Sequence, residues 1–355
     1  MTLSHEKETA PKMKRRSTRR HWGFLLRLFA SVVLLCFLFT RQADLREALR
    51  ILKTARFDYL LLGFSAFAVG EFLTVIKWRF LLGPGAKHAS LLMLSRAMLV
   101  GEFYSVFLPS SVGGDIARIA MTSKIAGSAS NATSAALMQR NTGMGALLIL
   151  AIVAATFQPV KLNAFSGTLM VLDDLRNWFL IIALAYGLIN VALLSETVYR
   201  LVWKRKMERP VRSGLLRTIL DFADRFHFST HQLRGRFLLA LALSLITQFL
   251  DCVMGWCAAR AIGADISLLH ACVFVPTATL AALLPLSLNG IGLREMTYVK
   301  VTAAASLTPE QAVAISTIHF ACIILLALIG GLWHLLQPTV AEVGTTQPPG
   351  NGTIQ

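Results

Sequence analysis

The sequence predicts an all-α protein, a polytopic bundle of helices that crosses a membrane several times. Of its 355 residues, 55% are hydrophobic and only 15% are charged, and the mean hydropathy is +0.60. A soluble domain needs more polar surface than this to cover its core. Apolar runs of roughly 18–25 residues also recur between residues 22 and 336, and each is long enough to cross about 30 Å of hydrocarbon. The spacing of these runs leaves no room for a separate soluble catalytic domain.

About eight membrane segments are predicted from the apolar runs. They cover approximately residues 22–40, 59–78, 91–108, 135–157, 178–194, 237–262, 268–292 and 312–336. Between the first two, residues 44–57 carry leucines at helical spacing with basic residues on the other faces, which predicts an amphipathic helix at the membrane surface. Together these elements form one predicted transmembrane domain, residues 21–337. The basic residues 1–20 and the Pro/Gly/Thr-rich residues 338–355 are predicted to be disordered tails.

Basic residues flank the apolar runs and account for the net charge of +16. This distribution is expected where a cytoplasmic surface faces anionic lipid, and no nucleic-acid-binding module is recognisable. The N-terminus is therefore predicted to be cytoplasmic, with the bundle in the cell inner membrane. Segment 196–236 holds ten basic residues against four acidic ones and should be cytoplasmic too. If every apolar run crossed the membrane fully, segment 196–236 would instead lie outside the cell. This conflict with its basic charge disappears if the stretch ending at Pro109 enters from the cytoplasm and turns back.

Two Pro/Gly-rich breaks interrupt the apolar runs and resemble each other. Residues 108–118 and residues 284–294 align without gaps, so that a Leu-Pro pair, a Ser, a Gly and an Arg coincide. Non-helical backbone at membrane depth is tolerated where protein or a water-filled cavity surrounds it, so both breaks are predicted to be re-entrant elements of an inverted repeat. The predicted hinges are Pro109, Gly113, Gly114, Pro285, Gly290 and Gly292. A shared hinge without a function is the alternative.

The side chains around the breaks are suited to binding an anion. Helix N-termini and freed backbone N–H groups carry partial positive charge, and a guanidinium group can bind phosphate through two hydrogen bonds. The predicted ligand is an anionic lipid headgroup, bound by Arg118, Arg294, Arg140, Ser110, Ser111, Ser287 and Asn289. For Arg140, which lies close to the start of an apolar run, a side chain that extends to the membrane interface is the alternative.

Acidic residues within the apolar runs also require an explanation, because a charge at membrane depth costs a few kcal/mol or more. These residues are Glu71, Glu102, Asp115, Asp251 and Glu295. Each could pair with an arginine or take up a proton. No catalytic or nucleotide-binding motif and no metal-ligand spacing is recognisable, so the chain is predicted to be neither an enzyme nor an ATP-driven pump, and to need no cofactor. His319 is interpreted as a packed, hydrogen-bonded side chain rather than a metal ligand.

The residues around the two breaks resemble a known family. The first set runs from Gly101-Glu102-Phe103 through Leu108-Pro109 and Gly113-Gly114-Asp115 to Arg118, followed by Arg140. The second set runs from Pro285 through Asn289-Gly290-Ile291-Gly292-Leu293-Arg294 to Glu295. Over approximately residues 22–336 the chain is similar to the flippase-like membrane region of lysylphosphatidylglycerol synthases and their stand-alone relatives.

This resemblance implies two re-entrant elements and the translocation of amphiphilic lipids between leaflets, with the matching Arg, Gly and Pro positions near the path of the headgroup. The soluble aminoacyl-transfer domain of the synthases is not recognisable, so transfer of lysine to phosphatidylglycerol is not expected. The expected partners are membrane lipids, either anionic or linked to polyprenyl phosphate, with a lipid-modifying enzyme or a second copy of the chain as further partners. Two alternatives stay open: a non-catalytic partner of a lipid-modifying enzyme or glycosyltransferase, and an intramembrane enzyme that acts on a lipid head.

Overall fold

The computed structural model describes residues 15–108, 112–160, 174–199, 233–284 and 286–336. All regular elements in these ranges are helices, without a strand, which confirms the predicted all-α class. The α-helices are α1 (Arg15–Arg41), α2 (Leu45–Lys53), α3 (Phe57–Leu82), α4 (Leu91–Phe107), α5 (Val112–Thr122), α6 (Ala129–Phe157), α7 (Leu175–Leu194), α8 (Glu196–Tyr199), α9 (Phe237–Ala261), α10 (Leu268–Ala282), α11 (Leu293–Thr302) and α12 (Pro309–Leu336). Short 3₁₀ turns lie at Pro84–His88, Arg234–Arg236, Leu288–Gly290 and Ala303–Ala305.

Within the described residues, four helices are long and apolar enough to cross a membrane: α3, α6, α9 and α12. Residues Leu25–Arg41 of α1 together with α2 make a fifth if they are counted as one span bent by 87°. Helices α7 and α10 are apolar but shorter, and the breaks divide the remaining apolar sequence into short pieces. The protein is therefore a helical membrane protein, but the predicted count of about eight membrane segments is not confirmed.

Helices α3 and α9 form the central antiparallel pair of the bundle. A Cβ added at Gly63 of α3 would lie only 2.9 Å from the Cβ of Cys257, near the end of α9, so the two backbones approach closely there. About four turns further along α3, Lys77 donates a hydrogen bond from Nζ to Ser244 Oγ, near the start of α9, over 2.9 Å. The start of α3 thus lies beside the end of α9, and a later part of α3 lies beside the start of α9, so the two helices are antiparallel.

The antiparallel pair defines two ends of the bundle. Arg236, which precedes α9, donates from Nη1 to the carbonyl of Phe80 near the end of α3, over 3.2 Å. At the opposite end, the N–H of Arg56 before α3 donates to the carbonyl of Ala261 over 2.8 Å. We refer to these as the Arg236 end and the Ala261 end. The last residue of the basic segment 196–236 thus lies beside the turn that follows α3.

The first broken stretch folds back on itself as a helical hairpin of α4 and α5, which pack side by side. A Cβ on Gly114 of α5 would overlap the carbonyl oxygen of Gly101 in α4, so the glycine permits this close approach. Helix α4 starts from the turn after α3, and the turn after α5 brings the carbonyl of Ile125 against Gly85. The hairpin therefore begins and ends at the Arg236 end. The hinge residue Pro109 lies outside the described residues.

The second broken stretch forms a second hairpin, of α10 and α11, in which the rings of Phe274 and Tyr298 lie 5.3 Å apart. Helix α10 follows α9 and so starts at the Ala261 end. Helix α11 leads into α12, whose Glu310 accepts a hydrogen bond from the N–H of Asp44 beside α2, over 3.1 Å. This hairpin therefore starts and ends at the Ala261 end, opposite to the first. Pro285 lies outside the described residues.

Asn289 joins the two breaks. It has a left-handed φ of 49°, and Gly290 and Gly292 beside it have φ values of 77° and 84°, which glycine adopts without strain. The Asn289 side-chain amide donates to the carbonyls of Ser105 and Val106 over 3.0 and 2.8 Å. The last carbonyls of a helix have no partner within the helix. The second break thus caps the C-terminal end of α4 and holds the tips of the two hairpins together.

We expect substitution of Asn289 by alanine to weaken this tip contact. The change leaves two half-buried carbonyls without a donor, which costs about 1–3 kcal/mol, and adds strain at the positive φ. Thermal unfolding of the purified protein in detergent, followed by tryptophan fluorescence, measures the loss. Asn289→Gly removes the amide but not the backbone freedom, so it should lower the melting temperature as well. A glycine variant as stable as the wild type would assign the cost to backbone strain instead.

Helix α2 confirms the helix predicted within residues 44–57. The carboxylate of Asp44 accepts a hydrogen bond from the N–H of Arg46 over 2.8 Å and caps the N-terminus of the helix. Helix α1 begins at Arg15, inside the segment that was predicted as a disordered tail. The rest of that tail, residues 1–14, and residues 337–355 lie outside the described residues.

Candidate functional site

A cavity of about 580 Å³ lies within the bundle, beside the first hairpin. Its charged and polar lining comes from seven helices: Glu71, Thr74 and Lys77 of α3, Glu102 and Ser105 of α4, Asp115 and Arg118 of α5, Gln139 and Arg140 of α6, Thr247, Gln248 and Asp251 of α9, Thr279 of α10, and His319 of α12. Ligand cavities in proteins usually enclose about 300–1,000 Å³. The space is therefore large enough for a lipid headgroup.

One carboxylate bridges two arginines in this cavity. Arg118 Nη2 lies 2.5 Å from Oδ1 of Asp115, and Arg140 Nε lies 2.5 Å from Oδ2 of the same group. The structure thus brings together two of the three predicted headgroup-binding arginines and one of the predicted intramembrane acids. A phosphate presents oxygens in the same way as this carboxylate, and guanidinium groups bind both. The two guanidinium groups therefore converge on one carboxylate, in an arrangement whose chemistry also suits a phosphate.

Arg118 is held rigidly at this site. The residue is only 8% exposed, its guanidinium carbon lies 4.5 Å from the ring centroid of Trp78, and its Nη1 donates to Met98 Sδ over 3.3 Å. Its Nε has no hydrogen-bond partner among the described residues. The side chain of Arg140 is different, because it is 44% exposed. One guanidinium is thus fixed by a cation–π contact, and the other is partly exposed.

Lys77 is a third cation in the cavity, and sequence reasoning missed it. The residue is 3% exposed, and its Nζ donates to Ser244 Oγ over 2.9 Å. Ser244 Oγ in turn lies 3.2 Å from Oγ1 of Thr142 in α6, so these polar groups connect α3, α9 and α6. A signal was available, since Glu71, Thr74 and Lys77 recur at the spacing of one helix face.

Two of the predicted acids line the cavity and accept no hydrogen bond within the described part of the chain. Glu71 of α3 and Glu102 of α4 are half-buried, and no described residue donates to either carboxylate. Glu71 lies near the charges of Lys77 and Arg118, and Glu102 lies near those of Arg118 and Arg140. Because a carboxylate at this depth needs compensation, the cavity offers two open acceptors beside its cationic cluster.

Asp251 and His319 link the cavity to the second hairpin. His319 Nε2 lies 3.1 Å from Oδ1 of Asp251, and His319 Nδ1 lies 2.8 Å from the hydroxyl of Tyr298 in α11, which is fully buried. The hydrogen bond between His319 and Tyr298 confirms the interpretation of His319 as a packed, hydrogen-bonded side chain. Among the described residues, no group of three acidic, histidine or cysteine side chains could hold a metal ion.

Arg294 and Glu295 do not line the cavity. Both are buried in the second hairpin, where Arg294 Nη2 donates to Glu295 Oε1 over 2.9 Å and the guanidinium lies 4.3 Å from the ring centroid of Phe320. Glu295 also accepts from the N–H of Gly292 over 2.7 Å and from Ser316 Oγ over 3.1 Å. The structure therefore does not bring Arg294 together with Arg118, and it engages this arginine in a buried ion pair.

The remaining predicted site residues lie in three places. Asn289 donates to the end of α4, outside the cavity. Ser287 is buried, and its hydroxyl has no hydrogen-bond partner among the described residues. Gly114 lines the cavity at the start of α5, with Gly113 before it. Ser110 and Ser111 lie outside the described residues.

The comparison with known families assigns the class of this protein. The family described as lysylphosphatidylglycerol synthase TM region matches residues 24–331, within the predicted transmembrane domain 21–337. The chain belongs to this family, which confirms the resemblance seen in the sequence and indicates a membrane protein with a lipid-related role. No curated protein and no solved structure matches the chain.

Proposed function

We propose that this protein moves an anionic or polyprenyl-phosphate-linked lipid between the leaflets of the cell inner membrane. The headgroup passes through the cavity, while the acyl chains stay in the bilayer. The observation that carries this proposal is the convergence of Lys77, Arg118 and Arg140 on one cavity inside a membrane bundle. Cations are expensive at membrane depth, and they are typically found there along the path of a charged substrate.

The Asp115 bridge supports a mechanism of exchange. The Asp115 carboxylate pairs with both Arg118 and Arg140. An entering phosphate can take the same two guanidinium groups, which releases Asp115 and keeps the arginines paired throughout. The two guanidinium groups therefore have an anionic partner both before and after the headgroup enters.

The two hairpins support an alternating pathway. They begin at opposite ends of the bundle, and Asn289 joins their tips. We interpret them as the re-entrant elements of an inverted repeat, the arrangement in which transporters place a substrate site between two broken helices. Basic residues favour the cytoplasm. The Arg236 end, which carries the last residue of the basic segment 196–236, therefore faces the cytoplasm.

On this proposal the chain is not an enzyme and needs no cofactor. Its partners are the transported lipids, and a lipid-modifying enzyme or a second copy of the chain would supply or receive them. Native mass spectrometry of the protein purified from its membrane identifies co-purified lipid and the number of chains in one measurement.

We expect Arg140→Gln to slow leaflet exchange of an anionic lipid by about tenfold or more, because a charge-assisted hydrogen bond contributes about 1.5–3 kcal/mol. Vesicles that contain the purified protein and a fluorescent lipid with a phosphate monoester or sugar-phosphate headgroup provide the assay. A quencher added outside reports how quickly label crosses from the inner leaflet. Because Arg140 is partly exposed, we expect its substitution to disturb folding less than the substitution of a core residue would.

Arg50→Gln is the matched control, since Arg50 lies exposed on α2 and does not line the cavity. It should exchange lipid at the wild-type rate. Equal rates for Arg140→Gln and Arg50→Gln would contradict the assignment of the headgroup site. Wild-type vesicles that exchange no faster than protein-free vesicles would contradict translocation itself.

A second candidate function has one observation in its favour. Glu71, Glu102 and Asp251 line the same cavity, as an intramembrane enzyme that acts on a lipid head would require of its acid and base. Mass spectrometry of lipids incubated with the protein distinguishes the two functions. A lipid with a changed headgroup, formed by the wild type but not by Glu102→Gln, would favour the enzyme; lipids unchanged in mass are expected from a translocase.

A further inference from the structure

A second cavity, of about 380 Å³, lies at the Arg236 end of the bundle. It is lined by the end of α3, the turn that follows and the residue before α9: Ile76, Arg79, Phe80, Gly83, Lys87 and Arg236. Three of these six residues are basic and none is acidic. They come from two segments that are distant in sequence, residues 79–87 and Arg236, so the fold brings the third positive charge to the other two.

Backbone carbonyls hold the two guanidinium groups in place. Arg79 donates from Nε to the carbonyl of Ala86 over 3.1 Å and from Nη2 to the carbonyl of Lys87. Arg236 donates from Nη1 to the carbonyl of Phe80 and lies 5.5 Å from the centroid of its ring. These contacts orient the arginines but do not neutralise them, and no described acidic residue forms an ion pair with either arginine or with Lys87. Three positive charges therefore remain available to an anion.

This cavity is separate from the one inside the bundle. Helix α3 lines both, but through different faces: Glu71, Thr74 and Lys77 face the inner cavity, whereas Ile76, Arg79 and Phe80 face the second one. The two cavities share no lining residue. What binds in the second cavity is consequently independent of the proposed translocation.

We propose that this cavity binds the phosphate of an anionic phospholipid whose headgroup lies at the membrane surface. The cavity is at the end of a spanning helix, the depth at which headgroups lie. Guanidinium and ammonium groups supply the phosphate contacts, and the apolar sides of Ile76 and Phe80 contact the beginning of the acyl chains. The bound lipid is a resident one, which ties the C-terminal end of α3 to the start of α9.

Native mass spectrometry of the full chain in detergent, titrated with phosphatidylglycerol or with phosphatidylcholine, tests this site. The Arg140→Gln background weakens binding in the inner cavity, so that the remaining lipid reports on the second one. In that background we expect Lys87→Gln and Arg236→Gln each to bind phosphatidylglycerol about fivefold more weakly, because one basic side chain near a headgroup contributes about that factor. Phosphatidylcholine should bind weakly to all variants.

Lys124→Gln is the matched control, since Lys124 is exposed in the turn between α5 and α6 at the same end but does not line the cavity. It should bind phosphatidylglycerol like its parent. Equal binding by Lys87→Gln, Arg236→Gln and Lys124→Gln would overturn the site, and the exposed Lys87 makes its variant informative even if Arg236→Gln fails to fold. Displacement of the lipid by millimolar inorganic phosphate would identify a soluble phosphate as the occupant and overturn the lipid assignment.

Discussion

Arg118→Gln is expected to remove leaflet exchange and to lower the free energy of unfolding by about 1.5–3 kcal/mol, the contribution of a hydrogen bond to a charged group. The substitution leaves the half-buried Asp115 with Arg140 alone, and it removes the cation that lies over the ring of Trp78. Unfolding in detergent measures the stability, and exchange in reconstituted vesicles, scaled to folded protein, measures the function.

Asp115→Asn separates the two roles of this pair. It removes the internal anion but keeps the shape, so two guanidinium groups are left for a phosphate. We expect this variant to be less stable than the wild type without lipid, and to regain stability when an anionic lipid is added. The double variant Arg118→Gln/Asp115→Asn should be more stable than the sum of the single changes implies, because the two residues are coupled. Additive losses, or an Asp115→Asn protein indifferent to anionic lipid, would show that Asp115 does not occupy the place of a phosphate.

Much of the fold could be predicted from the sequence, because the length and hydrophobicity of a membrane helix are visible in its residues. The long apolar runs became α3, α6, α9 and α12. The two broken stretches became helical hairpins. At the second break, Asn289, Gly290 and Gly292 have positive φ values, which interrupt a helix, whereas the predicted hinges Gly113 and Gly114 lie within α5. The position of the basic segment 196–236 was incompatible with full crossings throughout, and the first hairpin indeed returns to the end at which Arg236 lies.

The site was less predictable, for a geometric reason. The alignment of the two breaks gives Arg118 and Arg294 the same distance from a proline, but Arg118 is the seventh residue of α5 and Arg294 is the second of α11. Each residue turns a helix by about 100°, so the direction of a side chain depends on where its helix begins. The residue at which the helix begins is set by the turn geometry at the break. The number of residues between the proline and the arginine does not predict that geometry. Lys77 was missed because its partner Ser244 lies on another helix, far along the chain.

Glu295→Ala is expected to be the other most damaging substitution, with a loss of about 3–5 kcal/mol. The Glu295 carboxylate accepts from Arg294, from the N–H of Gly292 and from Ser316, and all of these groups lie within the second hairpin and α12. Its removal leaves Arg294 as a buried, unpaired cation. The melting temperature in detergent is the measurement, and the tip contact at Asn289 should loosen with it.

The double variant Arg294→Met/Glu295→Gln decides whether Arg294 binds the headgroup, as the sequence predicted, or stabilises the hairpin, as its contacts indicate. Both buried charges are removed together, and the glutamine can still accept from Gly292, so most of the stability should return. Because neither residue lines the inner cavity, leaflet exchange per folded molecule should equal that of the wild type. A double variant that is stable but cannot exchange lipid would place Arg294 on the transport path. Exchange at the wild-type rate would leave Lys77, Arg118 and Arg140 as the cations that the headgroup meets.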